Sequence, residues 1–181
     1  FVTVHTLVIG LGGAPLLLLG RKRARIIPKL WTGMTLWALR FFCGVSHKIE
    51  GVEHLPKGGA IVAANHQSMW ETIAIYDILE NPVMIFKKEL LLIPIYGWWG
   101  AVTGSIPVDR KGGAKALRAM RKIAAERIRD GHQIIVFPEG TRVAPGERSE
   151  FRPGVAGIYK DGKAPCVPIA HDSGRLWHFP G

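Results

Sequence analysis

Apolar residues run unbroken in short blocks along most of the chain, and they recur every three or four positions in the stretches between. The blocks at Ala60–Ala64, Val83–Phe86, Ser105–Val108, Gln133–Phe137 and Cys166–Ala170 have the length of buried strands. Met69–Leu79, Glu89–Trp99 and Lys115–Arg129 fit helices. In the last of these, Leu117, Met120, Ala124 and Ile128 fall on one face, with Lys115, Arg118, Arg121, Lys122 and Arg129 on the other. Strands alternating with helices predict an α/β fold, with a mixed, largely parallel sheet flanked by helices over residues 48–181. Ligand sites in such sheets lie where strands end and loops begin.

The first part of the chain has a different pattern. Residues 1–20 carry no Asp, Glu, Lys or Arg, and twenty such residues suffice for a helix to cross the hydrocarbon layer. Four glycines and Pro15 make a broken or re-entrant helix the rival. Leu30, Trp31, Met34, Trp37, Phe41, Phe42 and Val45 then repeat at helical spacing beside basic residues. That suits a helix lying in the head-group layer, or else a core helix. Residues 1–47 are therefore expected to be an N-terminal membrane-anchoring helical segment.

Charge sharpens that expectation. The 181 residues carry a formal net charge of +10, and seven basic side chains with no acid fall before residue 50. A basic cluster after an apolar run is the wrong order for a secretory signal peptide. The positive-inside rule puts Arg21–Arg25 on the cytoplasmic side, which predicts the cytoplasmic face of the cell inner membrane. Anionic lipid head groups and a membrane surface are expected partners. Nucleic acid is not, because no RNA-recognition or zinc-finger pattern accompanies the charge. Cys43 and Cys166 exclude a disulfide scaffold and a Cys-rich metal cluster, and no HExxH occurs among the seven histidines.

Candidate chemistry begins at Asn65-His66-Gln67-Ser68-Met69-Trp70-Glu71, where an apolar strand runs into a helix. His66 falls in the connecting loop and Glu71 in the first helical turn. A carboxylate there can reach one imidazole nitrogen and fix the tautomer, leaving the other nitrogen to take a proton from a hydroxyl. Ser68–Glu71 is equally a capping box, in which Glu71 bonds the Ser68 backbone N–H. Spacing alone leaves the two readings level. A second motif, Phe137-Pro138-Glu139-Gly140-Thr141-Arg142, follows the strand at 133–136. Gly140 permits close backbone approach, Thr141 offers a hydroxyl and Arg142 a forked donor for phosphate. Glu139 can orient that arginine or a substrate hydroxyl.

Two apparent nucleotide motifs fail. Pro15 stands where the Gly10–Pro15 run would need the last glycine of a dinucleotide fingerprint, and Ala164 stands where a P-loop at Gly157–Lys163 requires Ser or Thr. No nucleophile elbow occurs.

Taken together, Asn65–Glu71 and Phe137–Arg142 resemble the glycerolipid acyltransferases, in particular the bacterial 1-acyl-sn-glycerol-3-phosphate acyltransferases with their H-x4-D/E motif. Lys87–Leu90, Gly104–Arg110, Phe151–Gly154 and Val167–Ile169 resemble further blocks of that family in its order, so the likeness spans about residues 48–181. Glu71 stands where the family usually has Asp. The chain starts at Phe1 without a methionine and ends at His178-Phe179-Pro180-Gly181 where relatives usually continue, so upstream residues are expected, as is a domain incomplete at its C-terminus. The resemblance implies the glycerolipid acyltransferase fold and direct transfer of a fatty acyl group from acyl-CoA or acyl-carrier protein to lysophosphatidic acid, giving phosphatidic acid. It implies no metal and no cofactor beyond that acyl co-substrate. His66 and Glu71 would be catalytic; Arg110, Glu139, Gly140, Thr141 and Arg142 would bind substrate. Other acceptors, such as a lyso-ornithine lipid, and a non-catalytic membrane-binding module are the competing readings. The outward basic face of residues 115–129 fits a solvated surface or a docking site for an acidic carrier protein.

Overall fold

The computed structural model describes residues 2–177. Phe1 and the ending His178-Phe179-Pro180-Gly181 lie outside the described residues.

Five strands, β1 (Ala60–Ala64), β2 (Pro82–Lys87), β3 (Ile106–Val108), β4 (Gln133–Val136) and β5 (Cys166–Ile169), form one sheet in the order β3-β2-β4-β1-β5. Every neighbouring pair is parallel. All the strand C-termini therefore open on one edge, and the loops after β1 and β4 stand side by side. Alternation along the strands splits the core in two. Ile61, Ile134 and Val136 face Met120, Ala124 and Ile128 of α6 (Gly113–Arg129) and Ile158 of α7 (Gly154–Gly162). Val62, Ala64 and Ile135 face Ile75, Tyr76 and Leu79, in and just after α4 (Trp70–Ile78). Covering both faces is what lets near-continuous apolar strands fold in parallel.

The expected helix at Glu89–Trp99 is divided. Pro94 cannot continue a helix, so a 3-10 turn at Lys88–Leu92 gives way to α5 (Tyr96–Thr103). The helix α7 was not expected. Gly154, Gly157 and Gly162 dilute its apolar pattern, and Ile158 is its one buried residue. The false P-loop at Gly157–Lys163 begins inside it.

The N-terminal expectation is overturned. Residues 2–20 are not one span: α1 (Val2–Gly12) is only 11 residues long, and Pro15 follows inside a 3-10 turn at Ala14–Leu19. Eleven residues rise about 16 Å, against about 30 Å of hydrocarbon. After α2 (Arg21–Ala24), α3 (Ile26–Cys43) is longer, but Lys29, Thr32, Thr35 and Arg40 dilute its apolar character. Among the described residues no helix is long and apolar enough to cross a membrane. A membrane-anchoring segment at the N-terminus, and the inner-membrane placement that depended on it, are therefore withdrawn.

What α3 does instead is pack on α4. Its inward face is the small and polar one, with Thr32, Thr35 and Ala38 buried, while Met34, Trp37 and Phe41 are exposed. Lys29 Nζ donates to the carbonyls of Asp77 and Leu79, where α4 runs out of internal partners, and the Thr32 hydroxyl donates to the Asp77 carboxylate at 2.8 Å. Arg25 donates to Asn81 at 3.1 Å, and Trp99 of α5 donates to the Gly10 carbonyl at 3.2 Å. The N-terminal helices thus share buried contacts with the α/β layers.

Candidate functional site

At the end of β1 the chain leaves the sheet through Asn65, His66 and Gln67 and enters α4. Ser68 closes that helix start: its hydroxyl accepts the Trp70 N–H at 3.0 Å. Glu71, one turn in, is fully buried and His66 is 14 % exposed. A buried carboxylate is tolerated only when its lone pairs are filled, and here they are. Oε1 accepts from His66 Nδ1 at 2.7 Å and from the Gln67 and Ser68 N–H groups at 3.0 and 2.9 Å. Oε2 accepts from the Ser68 N–H at 3.0 Å, from the Ser68 hydroxyl, and from the Ser173 hydroxyl at 2.8 Å. One side chain makes both contacts that spacing allowed: Glu71 accepts the Ser68 backbone N–H and bonds the imidazole of His66.

Burial pushes the Glu71 carboxyl up, but the bonds from His66 and from the Ser68 hydroxyl and amide outweigh it and hold the group down at about 2. The folded value lies below the ordinary 4.5. The stabilisation is therefore complete above about pH 4.5 and is lost as pH falls towards 2, by about 3 kcal/mol in all. Urea unfolding followed through that window should show this loss. Glu71→Gln should flatten it; an unchanged slope in the variant would mean that other carboxylates carry the acid sensitivity.

With Nδ1 held by Glu71, Nε2 of His66 makes no hydrogen bond among the described residues. The ring stacks on Phe137, with centroids 4.1 Å apart and planes within 17°. Phe137 opens the loop after β4, the strand beside β1. That loop is tied to the His66 loop: the Val143 N–H donates to the His66 carbonyl at 2.8 Å, and Arg142 Nε donates to the Ser68 carbonyl at 3.2 Å. Gly140 turns it with a φ of +69°. A Cβ there would sit in the left-handed region and 3.2 Å from Arg152.

Between the loops lies a cavity of about 270 Å³, lined among others by His66, Gln67, Glu139, Val143 and Arg148. Glu139 is 7 % exposed, and its Oε2 has no partner among the described residues. Glu139 thus lines the cavity near His66 with one buried oxygen still able to accept a hydrogen bond. A larger recess, about 430 Å³, lies outside α6 and is lined by Arg118, Arg121, Arg129 and Asp161. Arg121 grips Asp161 there through two bonds of 2.8 and 2.7 Å. That recess has no histidine and no loop from a strand end.

The structure does not gather every expected residue equally. His66, Glu71, Glu139, Gly140 and Arg142 converge on the loops after β1 and β4, while Thr141 is exposed on the same turn. Arg110 follows β3, separated from β1 by β4 and β2, or about 14 Å at ordinary strand spacing. It is exposed, beside a 2.6 Å bridge from Lys88 that holds the Asp109 carboxyl below its ordinary value. Sequence reasoning missed Arg148 in the cavity wall and Ser173 on Glu71. Arg148 lies beyond the end of the second motif in the same loop, and nothing in local spacing marks Ser173, which reaches Glu71 only through the fold. Among the described residues, no three His, Cys, Asp or Glu side chains are grouped to hold a metal ion.

The acyltransferase family pattern matches residues 46–172. A 1-acyl-sn-glycerol-3-phosphate acyltransferase of Pseudomonas aeruginosa is 32 % identical over 161 residues, covering 89 % of this chain and 63 % of that protein. One from Saccharomyces cerevisiae is 30 % identical over 134 residues, 72 % of this chain and 44 % of that protein. The chain thus spans less than two thirds of the length of these curated relatives. The crystal structure of the 1-acyl-sn-glycerophosphate (LPA) acyltransferase PlsC from Thermotoga maritima superposes with a TM-score of 0.75 at 25 % identity, covering 97 % of this chain and 75 % of that one.

Proposed function

This chain belongs to the acyltransferase family, and we propose that it transfers a fatty acyl group from acyl-CoA or acyl-carrier protein to the free hydroxyl of lysophosphatidic acid, giving phosphatidic acid. The observation that carries this reading is the 2.7 Å bond between His66 Nδ1 and a buried Glu71, at a histidine that lines a cavity between the two loops. Nε2 takes the hydroxyl proton as the alcohol oxygen attacks the thioester carbon. The tetrahedral centre collapses, the C–S bond breaks, and the thiolate leaves, taking that proton from the imidazolium. Glu71 stabilises the imidazolium in between and fixes which nitrogen faces substrate. A thiolate is a good leaving group, so the reaction asks for no covalent enzyme intermediate.

Glu139 would receive an acceptor hydroxyl at its unpartnered oxygen, Gly140 would let the turn approach the ligand closely, and Thr141 would offer its hydroxyl. Arg142, beside the His66 loop, would meet the phosphate. Arg110 joins it only when the acceptor lies along the sheet edge across β4 and β2. The named relatives act on, or are named for, the same lysophospholipid.

The test is thiol release from palmitoyl-CoA in detergent micelles, run without acceptor, with lysophosphatidic acid and with lyso-ornithine lipid, and repeated with palmitoyl-carrier protein as donor. Release that requires lysophosphatidic acid is the expected result. Release supported only by the lipid lacking phosphate would move the assignment to that acceptor. No acceptor-dependent release from either donor would overturn acyl transfer.

A further inference from the structure

The segment after β5, residues 170–175, crosses the His66 loop and is bound to it at several points. The Asn65 side chain donates to the His171 carbonyl and accepts the His171 N–H, both at 3.0 Å. The His171 ring donates from Nε2 to the Asn65 carbonyl at 2.7 Å, and the Gly174 N–H donates to the Gln67 side chain at 3.1 Å. Gly174 is buried so tightly that a Cβ would come within 2.8 Å of Pro145 and 2.9 Å of Gln67. This strap carries Ser173 to Oε2 of Glu71.

We propose that Ser173 is a positioning residue, whose hydroxyl, delivered by the strap, fixes the Glu71 carboxylate against His66. What that pair does to a substrate rests on the acyl-transfer reading; the positioning itself does not. What it adds is anchorage from a second strand. The Gln67 and Ser68 donors to Glu71 belong to the same short segment as His66 and shift with it. Ser173, among the described residues, is the one donor to Glu71 from another part of the chain, 102 residues away. It supplies a reference fixed to β5, and so to the sheet.

Proton accounting supports the direction of that bond. The Asn65 carbonyl can only accept, so His171 Nε2 bears hydrogen, and Nδ1 of the neutral ring is an acceptor. The Ser173 hydroxyl lies 3.2 Å from that nitrogen and 2.8 Å from Glu71. The shorter contact, to an ionised oxygen, takes the proton. His171 then accepts the Ser173 N–H at 3.4 Å and holds the residue in place. The Ser68 hydroxyl points its own proton at the same carboxylate oxygen, so the 2.9 Å approach of the two serine oxygens is imposed by their shared partner.

The experiment compares wild type, Ser173→Ala and Ser173→Thr by steady-state kinetics with palmitoyl-CoA and lysophosphatidic acid. Thermal midpoint and the downfield proton NMR signal of His66 Nδ1–H are followed alongside. Ser173→Ala should lower kcat roughly 10- to 100-fold, the range for one bond to a charged acceptor. KM for both substrates should stay within about twofold, Ser173→Thr should recover most of kcat, and the Nδ1–H signal should shift or broaden only in the alanine variant. An unchanged kcat in Ser173→Ala overturns the proposal and leaves acyl transfer standing. So does a loss that tracks the thermal midpoint and is not recovered by threonine. If the wild type itself shows no acceptor-dependent turnover, the acyl-transfer reading falls alone. The NMR signal then decides the positioning: a change in Ser173→Ala upholds it, an identical signal overturns it.

Discussion

His66→Ala is expected to reduce acceptor-dependent thiol release by about 10²–10⁴-fold, the span of a positioned general base. The imidazole is bonded to a carboxylate through Nδ1 and its residue lines the cavity, and among the described residues no second histidine shares that position. His171, the nearest by connectivity, spends Nε2 on the Asn65 carbonyl and Nδ1 on Ser173. The loss should fall on kcat and leave KM nearly alone, since in the proposed reaction the ring would contact the reacting hydroxyl rather than the phosphate or the acyl chain. Added imidazole should restore part of the rate to the alanine variant, because the vacated ring site opens onto the cavity. Full activity in His66→Ala would remove the proposed base and with it the role given to Glu71.

The elements that carry this site are those that the sequence marks most clearly, and for a physical reason. A parallel strand covered on both faces must be apolar throughout, so β1 stands out as Ala60–Ala64 and β4 as Gln133–Val136 within a residue of their bounds. The loops that follow them hold His66, Glu139 and Arg142, and parallel pairing of β1 with β4 makes those loops neighbours. What local pattern does not contain is the pairing of β1 with β5, which brings Ser173 to Glu71. The N-terminal helices depart from their sequence pattern for a related reason. The apolar periodicity of α3 singles out Met34, Trp37 and Phe41, yet α3 meets α4 through Lys29 and Thr32, whose partners include the free carbonyls at the end of that helix. Freedom from charge over residues 1–20 counted as length, while Gly13 and Pro15 cut that length at the end of α1. In α7 the glycines that let α6 approach closely are the residues that erase its helical signature: a Cβ at Gly157 would meet Arg121 at 2.6 Å, and one at Gly162 would meet Ile128 at 2.6 Å.

Glu71→Gln should cost about 10³–10⁴ in kcat, comparable to the loss when the carboxylate of a catalytic triad is made an amide. The reason is the tautomer. An amide can turn either its oxygen or its NH₂ towards Nδ1, and the four donors from Gln67, Ser68 and Ser173 all compete for its one oxygen. Satisfying them leaves the NH₂ facing His66, where it donates to Nδ1 and moves the ring hydrogen to Nε2. A protonated Nε2 cannot take a proton from a substrate hydroxyl. Glu71→Asp tests the complementary point. It keeps the charge but withdraws the carboxylate by one methylene, so it can no longer reach both His66 and Ser173 from the same helical position. A loss of about 10- to 100-fold is expected there, the worth of one charge-assisted hydrogen bond. The order Glu above Asp above Gln, measured as kcat at constant KM, is therefore the signature of a carboxylate that acts by both charge and placement. Equal activity in Asp and Gln variants would reduce Glu71 to its capping role. Activity of Gln equal to wild type would show that His66 needs no carboxylate at all.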